Sequence, residues 1–510
     1  MAKNILFFMS DQHRSDYVGY APDSKMETPN IDRIAAHANF SRCTTPNPIC
    51  TPARTSLISG RYPRQIGMLT MSGDYFPQIP TFMQALQKHG YKTYGIGKYH
   101  YMHLGGVSVP RGEGYDHTAM RHEMEKFGYD FVWETAGKQT MIPNLCDYGK
   151  YLQERGLLEK YRDFAVSSGG LNGDSPDHNF DKALPSPLAE GDYIDNVTAR
   201  VAIEQLRAHP KDTPFYMYVS FCGPHKPYDA PQRYLDMYPP EEIDDFIPEP
   251  GLELSEEEKQ ILYRQRRSYK AMIRLIDDRI GDILEVLRER GLDKDTMVIF
   301  ASDHGDMLGD HNRIQKGVPW RQAVNVPLAF DVPGAPVIGC NASPVQLFDI
   351  AATILDYAGI DPTAGLSRAF PAYNDRIPSR SLLPILQGQL EKVRSWSYSE
   401  SDFTEEVHPW INFRDVLLSR GRGGKRSNAW RMIVDERYKY VKYLGYDEPG
   451  TAYEEFYDME AYPDETENLI QCPDLLPEIQ KARSRAEYIL DKYPAAQMWW
   501  SQKYIRQKTQ

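Results

Sequence analysis

The chain has 510 residues, 41% hydrophobic and 25% charged, and its 71 Asp and Glu against 59 Lys and Arg leave a net charge of −12 at pH 7. A chain of this length buries roughly three quarters of its unfolded surface in two or three domains, and it lacks the Gly, Ser or Gln bias of a disordered protein. The acidic balance excludes a nucleic-acid backbone as partner, because such binding needs a basic face to release counterions. An anionic substrate would have to be drawn in by a local cluster of cations against the overall field.

In chain order, residues 4–9 form an apolar run too short for a secretory leader and closed by Asp11. It reads as a strand covered on both faces. No stretch reaches the ~18 to 20 apolar residues of a membrane helix, so no membrane contact is predicted and a cytoplasmic location is expected. Helical patterns are predicted over 30–38, 55–58, 81–89, 195–207 and 263–290, the last ending at Gly291. They alternate with buried strands over 93–96, 215–221 and 296–301, which is the pattern of a mostly parallel α/β sheet. Residues 137–191 and 228–254 break the rhythm with Gly, Ser, Pro and Asp and read as surface insertions. Past Gly388 the pattern changes: 430–434 and 438–443 read as an antiparallel hairpin joined at Asp435-Glu436-Arg437, followed by a helix over 476–491. The expected division is a catalytic α/β domain at 1–389 and a smaller α+β domain at 390–510. The six cysteines are scattered, none in a C-x-x-C pair, and are expected to be reduced.

Four predicted strands end in residues that carry chemistry. Asp11-Gln12 follows the first, Asp303-His304 the 296–301 strand, Lys98-Tyr99-His100 the 93–96 strand, and Pro224-His225-Lys226-Pro227 the 215–221 strand. In open α/β sheets the carboxyl ends of the strands are where ligands bind. Cys50-Thr51-Pro52-Ala53-Arg54 places a thiol at a helix start, with Pro in the first turn and Arg one turn along on the same face. Lys98 and His100, at i and i+2, point to one side of an extended segment. Singly, these residues prove little: a lone Cys is more often a small buried apolar residue, and an Asp after a strand more often a helix N-cap.

As a set, C-x-P-x-R, the two Asp-bearing strand ends, Lys-x-His, Pro-His-x-Pro and the late Lys316 resemble the formylglycine-dependent sulfatases of the alkaline phosphatase superfamily. Thr28-Pro29-Asn30-Ile31-Asp32-Arg33, Phe456-Tyr457-Asp458-Met459 and Pro463-Asp464-Glu465 carry the resemblance across nearly the whole chain. It implies an alkaline-phosphatase-like, mostly parallel sheet sandwiched by helices, with an antiparallel sheet in the smaller C-terminal α+β domain. It implies hydrolysis of sulfate monoesters, a small anionic ester as substrate, and a formylglycine-generating enzyme that oxidises Cys50 to the aldehyde. By the same resemblance Asp11, Gln12, Asp303 and His304 hold one divalent cation, Ca²⁺ or Mn²⁺. Arg54 joins Cys50 in the catalytic set, Lys98 bridges nucleophile and substrate, His100 is the base of the elimination step, and His225 and Lys316 contact the transferred group and the leaving oxygen.

Gln12 and His304 depart from the commoner Asp-Asp and Asn pattern and resemble the phosphonate monoester hydrolase and choline sulfatase side of the family. That keeps phosphonate monoester or phosphodiester hydrolysis open as an alternative, and behind it a silent anion-binding protein in which Cys50 is never oxidised. His13, Arg14, His103, Arg111, Trp320 and residues 400–410 are further pocket candidates, and a homo-oligomer is compatible with the reading.

Overall fold

Continuous apolar runs need cover on both faces, and the main sheet supplies it. A computed structural model of the chain describes residues 3–71, 75, 79–102, 111–168, 182–248, 254–367, 376–403, 428–444 and 452–496. Eight strands, β1 Asn4–Asp11, β2 Ala38–Phe40, β3 Lys92–Gly97, β4 Phe131–Glu134, β5 Phe215–Pro224, β6 Thr296–Ser302, β7 Leu328–Asp331 and β8 Gly339–Asn341, lie in the order β8-β2-β7-β6-β1-β5-β3-β4. All pairings are parallel except those of β7 with β2 and β6. Along β1 the pleat divides the core: Ile5, Phe7 and Met9 pack with Leu57, Ile350 and Ile354 on one face, and Leu6 and Phe8 with Ile276, Ile280 and Ile283 on the other. The register sets Asp11 opposite Pro224 and Ser10 opposite Ser302. Three strands thus end at one rim.

Several expected elements differ in extent. The helix expected over 30–38 runs Pro29–Ala35, and Ala38 opens β2, where pairing to β7 and β8 outweighs helical propensity. The long helix runs Glu256–Glu289 and so starts earlier than residue 263, because Ser255 and Glu258 form a capping box. Residues 137–191 are not simply a surface insertion. They hold helices Asp147–Glu154 and Leu158–Ser167, whose Tyr148, Leu152, Tyr161 and Ala165 are buried with Tyr193, Tyr269 and Met272.

Strands β9 Trp396–Phe403, β10 Asn428–Asp435, β11 Tyr438–Leu444 and β12 Ala452–Asp458 form an antiparallel meander. Helix Leu476–Lys492 lays Ile479, Ala482, Ala486 and Ile489 against Tyr398, Ile433, Tyr440 and Phe456. Tyr62 and Phe348 of the larger layer complete that cluster, so the two layers share a core. All six cysteines are free, and among the described residues no helix is long and apolar enough to cross a membrane.

Candidate active site

The first turn of helix Cys50–Ser59 points at the ends of β1 and β6. Cys50 Sγ lies 3.1 Å from His304 Nε2 and 3.7 Å from Asp11 Oδ1. One turn on, Arg54 Nε donates to Asp303 Oδ2 at 2.7 Å, and its Nη1 donates to the Lys98 carbonyl at 2.7 Å and Ser220 Oγ at 2.8 Å. Asp303 Oδ1 accepts from the backbone N–H groups of Gln12 and His304, each at 3.0 Å. Neither strand-end aspartate caps a helix. Asp11 instead lies beside Cys50, and Asp303 holds Arg54.

Lys98 forms an ion pair with Asp11 Oδ2 and stands 3.8 Å from Cys50 Sγ. Lys316 donates to Gln12 Oε1 at 2.5 Å and stands 3.3 Å from the same sulfur. His100 is in the left-handed region (φ 56), so it does not extend the strand beyond Lys98. The two side chains instead meet at Gly137, where an added Cβ would lie 3.3 Å from His100 Nε2 and 3.5 Å from Lys98 Cε. His100 Nε2 donates to the Ala136 carbonyl at 2.8 Å, while its buried Nδ1 has no partner among the described residues. A neutral ring therefore keeps a lone pair on Nδ1. His225 Nδ1 donates to the Lys226 carbonyl at 2.7 Å, which leaves the lone pair of the neutral ring on Nε2.

The electrostatics follow from crowding. Burial pushes the Asp11 carboxyl up, but Lys98, Arg54 and Lys316 outweigh it and hold it well below the usual carboxylate range. Burial acts likewise on Asp303, and Arg54 and His304 overcome it. The Cys50 thiol is raised by burial and by Asp11, yet Lys316, Lys98 and His304 bring it below its ordinary value. Burial, with Lys98 and Arg54, holds the His100 imidazole well below its ordinary value; burial, with Lys316 and Lys98, does the same to His225. Both rings are neutral at pH 7.

Asp11, Cys50, Asp303 and His304 are all buried and each offers a ligand atom within 4.8 Å of the others. His304 Nδ1 donates to the Gly305 carbonyl at 3.0 Å, which turns Nε2 toward Cys50 Sγ, Asp11 and Asp303, at 3.1, 3.8 and 3.7 Å. Gln12 Nε2 donates to Asp306, which leaves Oε1 on the side of Lys316 and Cys50. Two ionised carboxylates and an imidazole nitrogen converge here, donors whose chemistry fits one divalent cation, while the Gln12 amide oxygen accepts from the Lys316 ammonium that also stands beside Cys50.

Several residues that position the site have no local sequence signal. Asp306 holds Gln12 and is itself held by Tyr228 Oη at 2.6 Å, and Tyr269 Oη donates to the Gln12 carbonyl at 2.6 Å, fixing its left-handed backbone (φ 68). The further pocket candidates belong to the scaffold. His13 Nε2 donates to the Tyr17 carbonyl at 2.8 Å, and burial pushes its imidazole down to about 4. Arg14 pairs with Asp16 at 2.6 Å and Asp310 at 2.7 Å. Trp320 stacks on His311 with centroids 4.0 Å apart, Arg111 pairs with Glu159 and Asp163 at the surface, and Glu400 accepts from the Arg64 N–H at 3.1 Å. His103 and residues 404–410 lie outside the described residues.

The sulfatase family model matches residues 3–360. Over 492 residues the chain is 28% identical to an arylsulfatase of Clostridium perfringens, covering 92% of this chain and 90% of that protein. It is 27% identical over 505 residues to a choline-sulfatase of Rhizobium meliloti, covering 92% and 83%. The fold superposes on the phosphonate monoester hydrolase of Agrobacterium radiobacter with a TM-score of 0.73 at 21% identity, covering 96% of both chains.

Proposed function

The chain belongs to the sulfatase family, and from that premise we propose that it hydrolyses a sulfate monoester with the hydrated aldehyde derived from Cys50 as nucleophile. The observation that carries this reading is the convergence of Cys50 Sγ with Asp11, Asp303 and His304, flanked by Lys98 and Lys316. Arg54, Lys98 and Lys316 set three cations against the carboxylates of Asp11 and Asp303. These cations gather at one rim although the chain is acidic, as capture of an anionic ester requires.

In this proposal one hydroxyl of the hydrate gives its proton to the adjacent Asp11 carboxylate, 3.7 Å from Cys50 Sγ, and attacks sulfur; the bond from sulfur to the leaving oxygen breaks, and Lys316 gives that oxygen its proton. Lys98, paired with Asp11, is placed to hold the nucleophile and an oxygen of the transferred group together. His100 then takes the proton of the remaining hydroxyl; the aldehyde re-forms, sulfate departs, and water restores the hydrate. A neutral His100 with a free Nδ1 lone pair suits that task. His225, also neutral, contacts the sulfuryl oxygens and becomes a donor once a bound anion raises its proton affinity. A divalent cation on Asp11, Gln12, Asp303 and His304, Ca²⁺ or Mn²⁺, would supply Lewis acidity to the nucleophile and the transferred group.

The similarity in fold to a phosphonate monoester hydrolase, with Gln12 and His304 in the metal set, favours a second reading in which phosphorus is the reacting centre. The test is kcat/KM for an aryl sulfate and an aryl phosphonate monoester that share a leaving group, on protein whose aldehyde at position 50 is established by mass spectrometry. A higher value for the sulfate supports the first reading; a higher value for the phosphonate replaces it with the second.

A further inference from the structure

Lys138 and Asp229 form an ion pair at 2.6 Å with both side chains 0% exposed. Lys138 Nζ also donates to Tyr193 Oη at 2.8 Å and to the Pro227 carbonyl at 3.1 Å, and lies 2.9 Å from Met272 Sδ. Asp229 accepts further from Tyr193 Oη at 3.2 Å and Tyr161 Oη at 3.3 Å, and its own N–H donates to the Pro227 carbonyl at 3.0 Å. The pair is placed between two turns. On one side, Lys138 follows Ala136 and Gly137, which accept His100 and pack against Lys98. On the other, Pro227 ends the turn whose Lys226 carbonyl orients His225.

Desolvating two charges is costly, and apolar residues of similar shape often replace a buried pair without loss of stability. Stability therefore does not explain why this one is ionic. Directional bonds from one ammonium to a carboxylate, a phenol and a backbone carbonyl do what an apolar contact cannot: they fix the distance between the turns. Resting on the function proposed above, we propose that Lys138 and Asp229 are positioning residues that hold the His225 turn in register with the turn on which Lys98 and His100 rest. Neither touches the reacting atoms.

The test uses the full-length, aldehyde-bearing enzyme with Lys138→Met and Asp229→Leu combined, so that no buried charge is stranded. The expected result is a thermal midpoint near that of wild type, KM within about threefold, kcat lower by at least about tenfold, and displaced ¹⁵N imidazole signals of His100 and His225. Wild-type kcat with undisturbed imidazole signals overturns the proposal. Tyr193→Phe removes a donor to Asp229 and an acceptor of Lys138, loosening the network around the pair without stranding a charge; it is expected to lower kcat severalfold at constant KM. Should the double variant not fold, full activity of Tyr193→Phe overturns the proposal. Wild-type protein that turns over neither ester defeats the functional reading instead, and the imidazole signals then decide on the positioning by themselves.

Discussion

Two sets of equally buried acids titrate in opposite directions. Asp11 and Asp303 are fully buried, and clustered cations hold both below the usual carboxylate range. Elsewhere in the molecule Asp195 accepts from the Cys222 and Gly223 N–H groups, Asp349 from those of Gln346 and Arg380, and Glu400 from that of Arg64. Burial dominates there: Asp195 is pushed up to about 6 despite Lys138, Asp349 is raised despite Arg394, and Glu400 is raised despite Arg64. Depth alone does not fix charge; the density of cations does. Backbone strain is unevenly shared as well. Among the described non-glycine residues, Gln12 and His100 of the rim and Ala136, which holds His100, take positive φ, against Glu465 alone in the C-terminal layer.

The largest effect is expected at the sulfur. Cys50→Ala should lower turnover by at least about a thousandfold and leave the melting transition nearly unmoved, since it trims one small side chain from the first turn of a helix. Residual activity above a thousandth of wild type would mean that another group attacks. Next, Lys98→Ala should lower kcat/KM by roughly a hundredfold to a thousandfold and also raise the Asp11 carboxyl, whose largest cationic partner it removes. An unchanged acid limb of the pH–rate profile in that variant would show that the rim cations do not set its charge. Saturating Mn²⁺ or Ca²⁺ should raise the melting midpoint of chelator-treated protein by the linkage of ion binding to folding, about 2.7 kcal/mol at a hundredfold excess over Kd. Asp303→Asn should abolish that response, and a response that survives would place the ion elsewhere.

What was legible in the sequence follows the same division. The runs that became β1, β5 and β6 are apolar throughout because both faces are covered, and their polar ends mark the rim. Cys50, Lys98, His100, His225, Asp11, Gln12, Asp303 and His304 sit at or beside strand ends and a helix start, where local pattern draws attention to them, whereas Lys316 lies in a loop and stood out only through the family resemblance. Asp306, Tyr269, Lys138 and Asp229 owe their placement to contacts between residues far apart in the chain, and no short motif announces such contacts. Helices Asp147–Glu154 and Leu158–Ser167 were hidden by Gly149 and Gly156 and by buried tyrosines. Tyrosine suits a core whose hydroxyls find Asp192 and Asp229.

Stability against pH separates the two regions more finely. Asp11 and Asp303 have lowered folded values, so their contribution is present above the unfolded value near 3.8 and is lost as pH falls through the folded ones. Asp195 has a raised value: between about 4 and 6 the folded state binds more protons, so stability falls as pH rises through that window, by about 3 kcal/mol in all. Asp195→Asn should flatten this slope in a series of melts without touching the acid limb below it. A slope identical to wild type would show that Asp195 ionises as freely as in the unfolded chain.

The smallest effect on activity is expected in the C-terminal layer. Lys439 and Glu465 form an ion pair there, 3% and 0% exposed, and burial lowers the proton affinity of Lys439 despite its partner. A pair that burial already disfavours should tolerate joint replacement, and Lys439→Met with Glu465→Leu is expected to be neutral or stabilising by about 1 to 4 kcal/mol. Because the pair contacts none of the rim groups named here, kcat should stay within about twofold, where the Lys138 and Asp229 double variant loses at least about tenfold. Equal losses in kcat from the two replacements would mean that any buried charge in this fold supports turnover, and the distinction between rim support and structural core would fail.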